Sequence, residues 1–438
     1  MNQNKKTARE AAFGSLTRTE RDKSYSNIEI DSAIKRFGLI GAEKGLYTNI
    51  VYGVIEHKLT LDYFISLISE RPLVKLDPEV LTILRMGLYQ LIWLDRVPES
   101  AAVNESVKLA KEFKPSASSF VNAALRNFQR RYGKELPYPD KGDRLRYLSV
   151  RYSCGEDVVR ILESYGDAEP MLKAFSGSSP VTLRVNTLKT TRVELLGMLE
   201  RDGIEAAATI TALDGIKLKN LPERVRELIG EGLCFIQDEA SQLAVEALDP
   251  KPGETVLDVC ACPGGKSFSA AMKMGDRGLV KAFDLHKNKL SLVKSGAERL
   301  GIHIIEVGER NGAERFGELD GIADAIICDA PCSGLGVIAK KPEIRYKSAV
   351  EISGLPKVQH AILSNSANYL KRGGRICYST CTLNPEENQG VVKRFLAENP
   401  EFEPVEFELG ALRSESGMLT LFPQDSTDGF FISLMRKR

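Results

Sequence analysis

From residue 237 to residue 438 the chain repeats one unit, a short apolar segment followed by a turn and a helical stretch. Residues 256–260, 278–283, 325–328 and 375–378 are four such segments. They are too uniformly apolar to have a solvated face, which is the pattern of strands in a parallel sheet covered by helices on both sides. This restricts the region to an open α/β architecture. In such sheets ligands bind outside the carboxyl ends of the strands. The residues that follow each segment therefore carry the functional information.

After the first segment comes Cys260-Ala261-Cys262-Pro263-Gly264-Gly265-Lys266, with a helical pattern from Ser267. Two adjacent glycines let a ligand approach the backbone and present amide donors at the helix start. Asp284 ends the second segment, about 20 residues on, where a carboxylate can grip ribose hydroxyls. The combination implies an adenosine-containing cofactor. The G-x-G-x-x-G fingerprint is absent, which argues against a nicotinamide or flavin enzyme.

The third segment runs into Asp329-Ala330-Pro331-Cys332-Ser333-Gly334 and the fourth into Tyr378-Ser379-Thr380-Cys381-Thr382. Six of the eight cysteines fall between Cys260 and Cys381. A chain of 438 residues is no small disulfide scaffold. Zinc is disfavoured because no C-x2-C pair occurs and none of the four histidines is spaced with the cysteines. Cys328 and Cys377 read as buried packing, and Cys260 and Cys262 as loop packing. That leaves Cys332 and Cys381 as candidate nucleophiles, and spacing does not rank them. Asn384 reads as the cap of a helix with Pro385, Glu386 and Glu387 in its first turn. Its amide dipoles would favour a thiolate at Cys381, with the two glutamates opposing. A thiolate suits addition to carbon 6 of a pyrimidine, which makes carbon 5 nucleophilic, and a carboxylate such as Asp329 can hold the edge of the base.

Toward the N-terminus the pattern changes. From Arg9 to about Arg131 apolar residues recur at helical spacing, with Asp77 as a cap, Pro78 in the first turn, and Val80, Leu81, Leu84, Leu88 and Leu91 as a buried stripe. Residues 181–186 alternate as a strand and 192–201 read as a helix. The expected organisation is a helical domain over 1–140, a small α+β domain over 141–236 and the α/β domain over 237–438. Residues 1–150 hold 24 Lys/Arg against 18 Asp/Glu although the whole chain is only +1. The run Arg126, Arg130, Arg131, Lys134, Lys141, Arg144 and Arg146 can neutralise phosphates or simply be solvated. No apolar run reaches membrane length and no signal-peptide core follows the first residues, so a cytoplasmic protein is expected.

The motifs at 237–241, 260–266, 329–334, 379–382 and Asp428-Gly429-Phe430-Phe431 resemble the RNA cytosine-5 methyltransferase family over residues 232–438. Residues 97–105 and 120–126 resemble the helical RNA-binding module of the antitermination factor NusB. Residues 183–187 resemble a small RRM-like domain. Together these are similar to the RsmB/Sun family of 16S ribosomal RNA methyltransferases. The resemblance implies a Rossmann-like class I domain with a mostly parallel sheet and an antiparallel C-terminal strand, and S-adenosyl-L-methionine as cofactor. It implies Cys381 as the nucleophile and Cys332 as the group assisting product release. Residues 260–266, Asp284 and Asp329 would line the cofactor site. Glu309 stands where the family usually has an aspartate on the adenine side, and Cys262 where alanine is usual. The implied substrate is 16S ribosomal RNA, naked or in a partly assembled small subunit, with cytosine 967 as the family-type target. A monomer without metal or membrane attachment is expected. The alternatives are a transfer RNA cytosine-5 methyltransferase and an RNA-binding assembly factor with a vestigial catalytic domain. The intact Lys266, Asp284, Asp329, Cys332 and Cys381 argue against the vestigial reading.

Overall fold

The computed structural model describes residues 6–22, 26–133, 135–177, 179–425 and 427–438. Lys134 of the basic run lies outside the described residues. The chain divides into two compact units, Met1–Arg160 with Lys340–Ser348, and Ile161–Ala339 with Ala349–Arg438.

The first unit is helical. Its central helix, Pro78–Trp93, begins as the sequence suggests, with the Asp77 side chain accepting from the Glu79 N–H at 3.0 Å and Pro78 at the first position. The expected stripe is wider than anticipated. Every residue from Thr82 to Gln90 is buried, while Leu81 and Leu91 are only half-buried. A helix enclosed by its neighbours must satisfy its polar side chains internally. Arg85 does so through Asp62, with Nε to Oδ1 at 2.6 Å and Nη2 to Oδ2 at 2.8 Å, and through Glu20 at 2.5 Å. Lys340–Ser348, far along the chain, also belongs to this unit. There the Gly155 N–H donates to the Arg345 carbonyl at 2.7 Å and the Tyr346 hydroxyl donates to the Ile55 carbonyl at 2.6 Å.

The second unit contains two main sheets. The smaller is formed by β1 (Val181–Val185), β2 (Ala206–Ala208), β3 (Gly215–Leu218) and β4 (Cys234–Ile236), in the order β2-β3-β1-β4 with antiparallel pairing throughout. Helices Arg192–Arg201 and Glu223–Gly230 cover it, and Leu183, Leu195, Ile216 and Leu228 are part of its core. The first helix starts at a Thr191/Glu194 capping box, which satisfies two otherwise orphaned amides.

The larger sheet includes β5 (Thr255–Asp258), β6 (Leu279–Asp284), β7 (Ile305–Glu309), β8 (Ala323–Asp329) and β9 (Leu370–Thr380). Then follow β10 (Phe402–Pro404), a separate hairpin of β11 (Glu408–Leu409) and β12 (Leu412–Arg413), β13 (Met418–Leu421) and β14 (Phe430–Lys437). The order is β10-β14-β9-β8-β5-β6-β7, with β13 also paired to β14. Strands β9, β8, β5, β6 and β7 run parallel, and β14 returns antiparallel against β9. The mostly parallel sheet with an antiparallel C-terminal strand is thus present. Two apolar layers bury its faces. The chain leaves β5 toward β6 and β7 on one side and later returns to β8 and β9 on the other. This switch opens a crevice at the carboxyl ends of β5 and β8.

Candidate active site

The turn after β5 is folded onto the end of β6. The Ala261 N–H donates to the Phe283 carbonyl at 2.8 Å, and the Cys262 N–H to Asp284 Oδ2 at 3.2 Å. Asp284 Oδ1 accepts from the His286 N–H at 3.0 Å, so this carboxylate is held from both sides. Gly264 sits at φ 114°, a conformation that side chains disfavour, and starts helix Gly265–Lys273. Glu309 is exposed at the end of β7, in register with Asp284. The two acids therefore stand at neighbouring strand ends.

Lys266 is drawn into the interior by that helix. Its Nζ donates to Asp329 Oδ2 at 2.7 Å, approaches Ser241 Oγ at 3.5 Å and lies 5.2 Å from the Phe430 ring centre. Burial alone would lower its proton affinity. The Asp329 carboxylate overrides this and holds the ammonium above its ordinary range. Asp329 Oδ1 accepts from the Ser379 hydroxyl at 2.7 Å, across the β8/β9 register. Asp258 at the end of β5 is fully enclosed. Its Oδ2 accepts from Ser267 Oγ at 2.6 Å, its Oδ1 has no hydrogen-bond partner, and burial pushes its pKa up to about 7.

The two strand-end thiols meet. Cys332 Sγ lies 3.2 Å from Cys381 Sγ, and all eight cysteines are thiols. The hydrogen bond with Cys381, followed by burial, pushes the Cys332 thiol well above its usual range. The Gly336 N–H donates to the Cys381 carbonyl at 3.0 Å, so the segment after Cys332 is tied to the Cys381 main chain. Cys328 and Cys377 are buried within β8 and β9. Cys260 and Cys262 lie in the turn after β5; burial raises both, Cys262 to about 12. Among the described residues no cluster of His, Cys, Asp or Glu is fit to hold a metal ion, and no helix is long and apolar enough to cross a membrane.

One expectation fails at this site. No α-helix starts at Asn384. The Asn384 carbonyl accepts from the Glu387 and Asn388 N–H groups, and the Gly390 N–H returns to the Pro385 carbonyl at 2.8 Å, which makes 385–388 a succession of turns. The α-helix begins at Gln389. The reason is side-chain competition. Glu387 and Asn388 are buried and used as bonding partners: Glu387 for Ser333 and Gln359, Asn388 for Thr380 and Thr382. The glutamate read as an opposing helix-end charge is a buried structural acceptor. Sequence reasoning also missed Gln359, Ser379 and Thr382. Ser379 and Thr382 stand at a strand end, the one signal that could have found them, whereas Gln359 lies inside helix Leu355–Asn368 and carried none.

Sheet order, crevice and strand-end residues define a Rossmann-like methyltransferase. Comparison with known proteins narrows this. The family model for 16S rRNA methyltransferase RsmB/F matches residues 245–436, that of the NusB family residues 6–130, and that of the RsmF/B-like ferredoxin-like domain residues 158–223. The Bacillus subtilis (strain 168) protein named "Probable ribosomal RNA small subunit methyltransferase B" is 38% identical over 99% of both chains. The "Ribosomal RNA small subunit methyltransferase B" of Vibrio vulnificus (strain YJ016) is 32% identical over 90% of this chain and 92% of its own. The crystal structure of PH0851 superposes with a TM-score of 0.83 at 26% identity, covering 98% of each chain. The chain belongs to the ribosomal RNA small subunit methyltransferase B family.

Proposed function

We propose that this protein transfers the methyl group of S-adenosyl-L-methionine to carbon 5 of a cytosine in 16S ribosomal RNA, with Cys381 as the nucleophile. The observation that carries the reading is the thiol pair, 3.2 Å apart at the ends of adjacent strands and beside the Lys266–Asp329 pair. The names of the relatives support the ribosomal substrate.

The residues suit the cofactor. The turn 260–266 offers main-chain amides, and Asp284 and Glu309 offer acceptors at neighbouring strand ends for ribose hydroxyls and an adenine amino group. Asp329 lies deeper, toward the thiols. When bound there, S-adenosyl-L-methionine supplies an electrophilic methyl group.

Carbon 5 of cytosine is a weak nucleophile until a thiolate adds to carbon 6. The Cys381 sulfur contributes the electron pair of the new C–S bond, and the ring's C5=C6 pair becomes available at carbon 5. Asp329 is placed to hold the amino edge of the base and its protonated ring nitrogen. After methylation the carbon 5 proton must leave, and the C–S pair returns to Cys381 as the double bond reforms. Cys332 would take that proton as the thiolate, after its own proton has passed to solvent. In the resting site its hydrogen bond to Cys381 is the largest cause of its raised proton affinity. Once Cys381 is bound to carbon 6, that acceptor charge is gone and Cys332 becomes easier to deprotonate. The second thiol is thus released for use when the first is engaged.

Exposed Arg126, Arg130, Arg131, Lys141, Arg144 and Arg146 are suited to phosphate contacts that position the RNA. The target base would have to be unstacked to reach the thiols. Bisulfite sequencing of 16S and transfer RNA after incubation with enzyme and cofactor tests the reading. One newly protected cytosine in 16S RNA is expected, at the family-type position 967. Protection confined to transfer RNA overturns it.

A further inference from the structure

One buried carboxylate touches the segments that frame the thiol pair. Glu387 Oε2 accepts from the Ser333 main-chain N–H at 2.9 Å and from Gln359 Nε2 at 2.8 Å. Its Oε1 accepts from Asn384 Nδ2 at 3.0 Å, and its main-chain carbonyl accepts from the Tyr378 hydroxyl at 2.6 Å. Ser333 directly follows Cys332, while Tyr378 and Asn384 bracket Cys381. Gln359, on helix Leu355–Asn368, also donates to the Pro331 carbonyl at 2.9 Å, so the Cys332 loop is gripped on both sides of the thiol. A second stitch joins the loops directly, with Ser333 Oγ and Thr382 Oγ1 2.6 Å apart. Every side-chain partner of Glu387 is a donor, the pattern that an acceptor-only carboxylate completes. No cation lies within ion-pair distance of it among the described residues.

We propose that Glu387 is a positioning residue for the thiol pair: its hydrogen bonds fix the Cys332 loop against the Cys381 segment. The groups facing Cys332 are Cys381, Glu387, Asp329 and Tyr378, all able only to add negative charge. Lys266, the nearby cation, is bonded to Asp329 at 2.7 Å. The rate readout below rests on the proposed role of Cys381; the labelling readout does not.

The test is Glu387→Gln in the full-length protein. Gln keeps the size of the side chain but turns one acceptor into a donor that faces other donors. Methyl transfer should fall about 100-fold in kcat with little change in KM, the size of loss that a displacement of about 1 Å gives. Alkylation of Cys332 by iodoacetamide, followed by peptide mass without RNA or cofactor, should shift its pH midpoint down by about one unit. Glu387→Asp, which retains charge but loses reach, should lose rate while keeping the wild-type labelling midpoint. Unchanged rate and labelling in a folded Glu387→Gln protein overturn the proposal. Should that variant not fold, Gln359→Ala removes one donor and leaves the carboxylate, and a loss of about tenfold in kcat is expected. Wild-type kcat in Gln359→Ala then overturns it. If Cys381 proves not to be the nucleophile, the Cys332 labelling midpoint still decides the role of Glu387.

Discussion

Asp258 offers a prediction that follows from burial alone. Its carboxyl is fully enclosed, one oxygen bonded to Ser267 and the other unpartnered, and its pKa rises from 3.8 to about 7. Below about pH 4 the group is protonated in both folded and unfolded chains and contributes no difference. Between about pH 4 and 7 only the unfolded chain is ionised, so folding must take up a proton and stability falls as pH rises. One pKa unit corresponds to about 1.4 kcal/mol, so the accumulated cost is about 4 kcal/mol at pH 7 and levels off above it. Asp258→Asn removes the titration but keeps an oxygen for Ser267. Its stability relative to wild type should therefore rise by about 2 kcal/mol between pH 5 and pH 7, and by less than about 0.5 kcal/mol more by pH 8.5. Any constant offset from the amide cancels in this difference. Urea unfolding at each pH, read by a thiol-labelling pulse at one fixed pH against buried Cys328 and Cys377, reports the sheet that holds Asp258. A variant-minus-wild-type difference that stays flat from pH 5 to pH 8.5 refutes the reasoning.

Other perturbations have equally definite outcomes. Asp284→Ala removes a carboxylate oriented by two main-chain amides, and calorimetry should show S-adenosyl-L-methionine binding weakened by roughly 10- to 100-fold, the worth of hydrogen bonds to a charged group. In Gly336→Ala the new methyl group would land on the Gly429 carbonyl, which cannot swing away as a side chain could. A cost of about 1–3 kcal/mol in unfolding is expected, together with faster alkylation of Cys381 as the segment tied to its main chain loosens. Arg85→Met strands Asp62 in the helical unit while Glu20 keeps Lys58 at 3.0 Å, and urea unfolding followed by the fluorescence of Trp93, the chain's one tryptophan, should show a loss of about 3 kcal/mol.

The parts of this molecule that could be read in advance are those set by local pattern. The mostly apolar segments that became β5, β6, β8 and β9 announced a parallel sheet, and the residues after them were brought to one end of it by the topology. Asp77 and Pro78 marked a helix start because capping is a local exchange of hydrogen bonds. β7 went unnoticed as a strand: it is an edge strand, and Ile305-Glu306-Val307-Gly308-Glu309 mixes polar and apolar residues as a half-covered edge requires. The region around Asn384 misled for the opposite reason. Its local signals spelled a helix cap, but Glu387 is recruited by Ser333 and Gln359, which are distant in sequence, and Asn388 turns back onto Thr380 and Thr382. Tertiary hydrogen bonds of this kind leave no periodic trace. Arg345 and Tyr346 are a further case, since nothing in their neighbours signals that they complete the helical unit.

The thiol pair allows the central claim to be tested by one measurement, the intact mass of the protein after incubation with 16S ribosomal RNA and S-adenosyl-L-methionine followed by nuclease digestion. Cys332→Ala should accumulate a species heavier by a methylated cytidine nucleotide, with the added mass on the peptide that contains Cys381, because release is slowed while addition is not. Cys381→Ala should show neither adduct nor methylated RNA. An adduct mapped to Cys332, or wild-type methylation by Cys381→Ala, would contradict the account.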